Sequence, residues 1–136
     1  MLASRMTFLS RLFPKRPSET IRLVDGGFVL DRDGIEYFRV LWEDVREIVT
    51  FKRDLVTTDC VCVAFRSAQS TLYYEVNEEI PGFAPLVDEL PRRFTDIAPE
   101  WFNRVTQPAF ATNWTRLYGE GPPESSGGVE GRGPAG

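Results

Sequence analysis

The sequence predicts an α+β domain: a strongly bent antiparallel sheet, or a partly open barrel, closed by a C-terminal helix and followed by a short helical extension. Three observations point there. Short stretches of two-residue alternation recur from Glu19 to Asn77, split by Gly-Gly, Asp-Gly and polar turns. A single stretch of helical spacing, Phe83 to Phe94, comes after them. Strands in succession followed by helices belong to the α+β class. The 136 residues, 42% hydrophobic and 12% aromatic, suffice for one core.

The elements follow in order. "TIRLVD" and "FVLDRDG" flank Gly26-Gly27 and read as a hairpin. Asp33-Gly34 turns the chain into "IEYFRVL", which carries apolar groups on both faces. Trp42 and Val45 mark a short turn, with Asp44 as its local cap, before a strand from about Val45 to Arg53. "LVTTD" is a loop, because Thr57, Thr58 and Asp59 bond the local backbone readily. Cys60 to Arg66 is almost continuously apolar, as a strand buried on both faces would be. "SAQS" is a polar turn, and "TLYYEVN" is the partner strand.

Phe83, Leu86, Val87, Leu90 and Phe94 then recur at helical spacing. Pro85 fits the first turn of that helix, while Pro91 predicts a kink or an end near Leu90. A second short helix starts near Pro99 and buries Trp101, Phe102 and Val105. "TQPAFATNWTRLY" reads as irregular chain anchored by Phe110, Trp114 and Leu117.

The domain, residues 19–118, stands between two different ends. Residues 119–136 include ten Gly or Pro and a single sizeable apolar side chain, Val129, so they read as a disordered tail. Residues 1–18 form a basic leader. Its first 16 residues carry Arg5, Arg11, Lys15 and Arg16 and no acid, a net +4. The other 120 residues carry 12 basic and 20 acidic groups, a net −8. Leu2, Met6, Leu9 and Phe13 make a helical stripe that Phe8 and Leu12 widen, and Pro14 and Pro17 end it. Three readings stay open for this leader. It lies weakly on an anionic membrane surface through those six apolar residues, packs on the domain or a partner subunit, or frays. No apolar run in it approaches a membrane span.

Composition also excludes functions. There is no histidine, which removes Ser–His and Cys–His nucleophile pairs and most catalytic zinc sites. An acidic body repels phosphate backbones, so no nucleic-acid partner is expected. Cys60 and Cys62 are the only cysteines, spaced C-x-C. On a strand such residues share a face about 7 Å apart, beyond disulfide reach, and two thiolates fall short of a zinc site. They read as buried, reduced thiols, which suits the cytoplasm. Asp54, Thr57, Thr58 and Asp59 in one loop, with Glu78 and Glu79 in another, would suit a hard cation if the loops met; solvated turns are the simpler reading. No cofactor is expected.

The stretch "LWEDVREIVTF", Leu41 to Phe51, sits between strands as a turn of the form W-x-D-[IV]-x-x-I. With further strands and a helix after it, this resembles small bacterial pleckstrin-homology-like (PH-like) domains, over about Ile21 to Phe94. The resemblance implies a non-catalytic scaffold that binds lipid head groups, peptides or proteins. Lipid-binding members carry a basic cluster between their first strands. Here Arg22 and Arg32 stand apart among Asp25, Asp31 and Asp33.

The expected function is a non-enzymatic protein-binding module. It would use aromatic anchors with polar neighbours (Trp101, Phe102, Phe110, Asn113, Trp114 and Arg116) or strand pairing at an exposed sheet edge. Homo-oligomerisation stays open. The alternatives are an immunity or antitoxin-like inhibitor that offers an acidic face to a basic site, and an enzyme using carboxylates and a metal.

Overall fold

The computed structural model describes residues 17–55, 58–68, 70–107 and 114–122. The apolar leader residues Leu2, Met6, Phe8, Leu9, Leu12 and Phe13 lie outside the described residues, as do Thr57, Phe110, Asn113 and the tail from residue 123.

Among the described residues, seven strands form two antiparallel sheets that are not closed into a barrel. β1 (Glu19–Val24), β2 (Gly27–Arg32) and β3 (Ile35–Leu41) form the first, in that order. A single 3-10 turn, Trp42–Asp44, leads into β4 (Val45–Asp54), the longest strand. β4 pairs with β5 (Asp59–Ser67) on one side and β7 (Thr115–Gly119) on the other. β6 (Tyr74–Asn77) pairs with β5, so the second sheet runs β6-β5-β4-β7. Helices α1 (Phe83–Arg93) and α2 (Trp101–Val105) fall between β6 and β7.

The core lies between the sheets and under the helices. Ile21, Phe28, Leu30 and Val40 come from the first sheet, and Ile48, Val61, Val63, Phe65 and Val76 from the second. Phe83, Leu86 and Leu90 supply the buried face of α1, as their helical spacing predicts. The rings make a continuous chain. Phe28 meets Phe65 at 4.9 Å and Trp42 at 5.8 Å, Trp42 meets Phe94 at 5.9 Å, and Phe94 meets Tyr118 at 4.5 Å. These are tilted or edge contacts, which suit the ring quadrupole.

The path into α1 is fixed by Gly82. Its φ is +98°, and a Cβ there would lie 2.1 Å from the Ile21 carbonyl oxygen. Only glycine fits this close approach. Beside it, the Ile21 amide donates to the Pro81 carbonyl at 2.8 Å and ties the free edge of β1 to the helix entrance.

Four details differ from the sequence reading. Helix α1 runs through Pro91 to Arg93. A proline cannot donate to the carbonyl four residues back, and that carbonyl, on Val87, accepts instead from the Trp101 indole at 3.4 Å. The last partner strand starts at Tyr74, not Thr71, because Leu72 bonds back to the Ser70 hydroxyl at 3.0 Å. The stretch read as irregular holds a true strand, β7, which is the last element among the described residues. Residues assigned to the tail also belong to it: the Glu120 and Gly121 carbonyls accept from Arg66 at 2.7 and 3.0 Å.

Candidate functional site

Three groups of side chains bear on function. The first is a buried ionic cluster on the face of the second sheet turned away from the core. Pairing sets Glu47 of β4 opposite Arg66 of β5, and β7 brings Arg116 onto the same face. Glu47 is fully buried and Arg66 is 3% exposed. Arg66 Nε donates to Glu47 Oε1 at 3.0 Å and Arg116 Nε to Oε2 at 2.9 Å. The Tyr73 hydroxyl donates to Oε1 at 2.6 Å. Burial alone would push the Glu47 carboxyl up, but the donors from Tyr73, Arg66 and Arg116 outweigh it and hold it below the ordinary value. Tyr73 is pushed the other way, by burial and then by its bond to the carboxylate.

The rest of Arg66 is fully engaged. Nη1 donates to the Ser67 and Ser70 carbonyls, and Nη2 to those of Glu120 and Gly121. Five donor contacts on one guanidinium use up its fork. The cluster is therefore a clamp that joins β5, the loop before β6, and the chain after β7. Gly119 allows the clamp to close: its φ is +83°, and a Cβ there would stand 1.7 Å from the Arg46 carbonyl oxygen. An open cleft of about 620 Å³ lies alongside, lined by Arg46, Arg66 and Tyr118 among others. Its cations are occupied, since Arg46 also donates to the Glu43 and Val45 carbonyls.

The second group is the seam where the sheets meet. β3 pairs only with β2, and β6 only with β5. Among the described residues, the other edge of β3 makes no backbone hydrogen bond, and that of β6 makes one, at its end, where the Asn77 carbonyl accepts from the Ile80 amide at 3.1 Å. The two strands approach each other through Phe38 and Tyr74, whose rings are 4.9 Å apart. The same part of the chain carries exposed apolar groups: Ile35 at 72% and Tyr37 at 57% on β3, and Leu72 at 65% just before β6. A cavity of about 130 Å³ opens beside Tyr74, lined by apolar groups such as Val40 and Phe65 and by the polar Arg39, Asp44, Arg66 and Ser67. Small-molecule pockets usually run to ~300–1,000 Å³, so this one has the size of a single side chain.

The third group is the pair of acidic loops. Asp59 Oδ2 lies 3.5 Å from Lys52 Nζ, and Glu78 Oε1 accepts the Val61 amide at 2.7 Å. Among the described residues, no cluster of three or more Cys, Asp or Glu is placed to hold a metal ion. Lys52 is itself buried and donates to the Thr106 carbonyl after α2.

The aromatic anchors read from the sequence do not form one surface. Trp101 is 2% exposed and belongs to the core. Phe102 is half-buried and packs against Phe83, lining a groove of about 380 Å³ along the first turn of α1. Trp114 is 57% exposed, at the start of β7, with the Arg116 guanidinium 5.4 Å above its ring. The residues that reasoning missed, Ile35, Tyr37, Leu72 and Tyr74, did have a signal. They are large apolar side chains at positions where both faces of a strand carried them, more than one core face needs.

Both cysteines are free and buried. Burial, then the nearby Glu75 carboxylate, pushes the Cys62 thiol up to about 12. Cys60 moves the same way through burial and the carboxylates of Glu79 and Glu78. Neither has the lowered pKa of a reactive thiol. No described helix is long and apolar enough to cross a membrane. Compared with known proteins, the chain matches no family model, no curated protein and no solved structure.

Proposed function

We propose that the chain is a non-enzymatic protein-binding module that takes an extended segment of a partner protein into the seam between β3 and β6. One observation carries this reading. Two sheet-edge strands, β3 and β6, each paired on one side only, touch through an aromatic pair, beside a cavity sized for a side chain. An added strand gains backbone hydrogen bonds from such an edge, and alternate side chains reach pockets that set specificity. An exposed apolar edge is otherwise an aggregation hazard that proteins blunt with charge, proline or a cover. Here the β1 edge is tied to Pro81, while Ile35 stands open on β3 and Tyr37 is covered on one ring face by the Arg32 guanidinium at 3.7 Å.

We read the organisation as PH-like, which agrees with the same function. The element Leu41–Phe51 folds as strand end, 3-10 turn and strand, and a helix follows the antiparallel strands. The resemblance implies a scaffold that binds lipid head groups, peptides or proteins. β7, added after the helices, would be a departure from the minimal pattern.

Selection of random displayed peptides against the full chain tests the proposal. Selected peptides should carry an apolar residue in an extended stretch and slow amide exchange in Ile35–Leu41 and Tyr74–Asn77. Tyr37→Lys and Tyr74→Lys should each abolish that binding with the fold intact. Protection confined to the α1 groove around Phe102, or no selectable binder at all, would overturn it.

A further inference from the structure

The groove along the first turn of α1 shares no lining residue with the seam cavity. At about 380 Å³ it falls within the ~300–1,000 Å³ usual for ligand pockets. Its walls come from the turn before α1, from α1 and from α2. Ile80 and Phe83 are buried, Val87 and Phe102 half-buried, and Ala84 and Pro85 exposed. The Trp101 indole ties α2 to α1 through the Val87 carbonyl, so both walls are held together without a ligand.

Charge marks this groove. Among the described residues, the only charged groups lining it are Glu78 and Asp88. Asp88 makes no hydrogen bond or ion pair there, and Glu78 accepts the Val61 amide but meets no cation. The start of α1 opposes these acids only in part. A helix N-terminus is equivalent to roughly +0.5 charge. The Phe83 amide is already spent on the Ile80 carbonyl at 3.1 Å, and Pro85 has no amide to offer. Two carboxylates outweigh that half charge, which leaves the groove apolar in its walls and negative in its field.

We propose that this groove takes a basic, apolar segment of a partner protein, with one apolar side chain against Phe83 and Phe102 and a lysine or arginine on either side reaching Glu78 and Asp88. Long basic side chains suit the place, because their stems cover apolar surface while their heads stay in water. An acidic segment would meet like charge and be rejected. This surface stands whether or not the seam binds a strand.

Two capped synthetic peptides test the proposal on the full chain. One has a central leucine between pairs of lysines, and the other replaces every lysine by glutamate. The lysine peptide should bind at low salt and slow amide exchange in residues 83–88 and in Trp101–Val105. The glutamate peptide should do neither. Asp88 is exposed, so Asp88→Lys should leave the melting curve in place, weaken the lysine peptide by about tenfold or more and admit the glutamate peptide. Tyr74→Lys, which alters the seam, should change none of these results. No binding of the lysine peptide, equal binding of the two peptides, or an Asp88→Lys chain that behaves like the parent would each overturn the proposal. So would a lysine peptide that loses nothing when its leucine becomes alanine, or one that protects Ile35–Leu41 instead. Sedimentation showing a dimer that protects the same amides without peptide would overturn it too, by assigning the groove to a second copy.

Discussion

The two sheets solve the same problem in opposite ways. The outer face of the first is wet. Arg22 pairs with Asp31 and Arg39 with Glu36, all four well exposed or near the surface. Only Val29 is fully buried there, at the centre of the sheet opposite Arg22 and Arg39. The second sheet is dry over the middle of both faces, and four of its polar residues are inside. Glu47, Thr50, Lys52 and Arg66 are each at most 3% exposed. The comparison teaches where charge matters. Exposed pairs compete with water and contribute little, whereas a buried charge must be matched or the strand that carries it fails.

The largest effect should come from breaking the buried match. Glu47→Ala leaves Arg66 inside without its carboxylate, and removing one partner of a buried pair costs about 3–5 kcal/mol. Urea melts should show that loss, and amide exchange should show β7 and Glu120–Gly121 freed first. A loss comparable to that of a surface residue would erase the distinction between the sheets. The same cluster sets the acid limit of stability. The Glu47 carboxyl is held below its ordinary value, so its contribution is complete above the unfolded value near ~4.3 and drains as pH falls through the lower folded one.

A smaller effect appears on the alkaline side. The Cys62 thiol in the folded chain is pushed up to about 12, while an unfolded thiol ionises near ~8.5. Between those values the unfolded state has lost a proton that the folded state keeps, so stability must fall as pH rises. Replacing Cys62 by Val should flatten the melting midpoint over that window, relative to the parent chain. A parent profile that is already flat there would mean the outer face is wetter than its burial indicates.

Tyr73 lies between the two regimes, partly exposed but bonded to the buried carboxylate. Tyr73→Phe removes one donor and leaves two arginines in place, so the loss should be about 1 kcal/mol. Equilibrium unfolding measures it, and a loss as large as that of Glu47→Ala would make the hydroxyl, not the arginines, the main partner.

Much of the dry sheet was legible in the sequence, and the reasons are physical. Cys60 to Phe65 is continuously apolar because the strand is buried on both faces. The early hairpins announced themselves through Gly26-Gly27 and Asp33-Gly34, where Gly26, Asp33 and Gly34 have positive φ. What stayed hidden was long-range. Nothing local tells that Arg66 and Arg116 converge on Glu47 across 19 and 69 residues. β7 was missed for the same reason: its Arg116 looks like a surface residue until the partner carboxylate is known. Pro91 misled because its consequence depends on Trp101, 10 residues away in sequence but one turn of packing away in space. The seam escaped because an unpaired edge is a property of sheet order, which alternation alone does not encode.

The smallest effect is predicted where the eye finds the best geometry. Arg22 meets Asp31 through two hydrogen bonds at 2.9 and 3.1 Å, a bidentate pair across β1 and β2. The guanidinium bond raises Arg22 and lowers the Asp31 carboxyl, as an ion pair should. Both groups nevertheless face solvent, where water and salt screen the attraction and two side chains lose rotamer freedom to hold it. A double-mutant cycle with Arg22→Ala and Asp31→Ala should therefore return a coupling close to zero at physiological salt, rising only as salt is removed. The stem of Arg22 is a separate matter, because Val29 lies opposite it on the face away from the core. Arg22→Ala should lose more than Asp31→Ala, and Arg22→Met should recover most of that loss without any charge. If Arg22→Met behaves like Arg22→Ala, the charge and not the hydrocarbon stem protects this face, and the two sheets would differ less than their burial suggests.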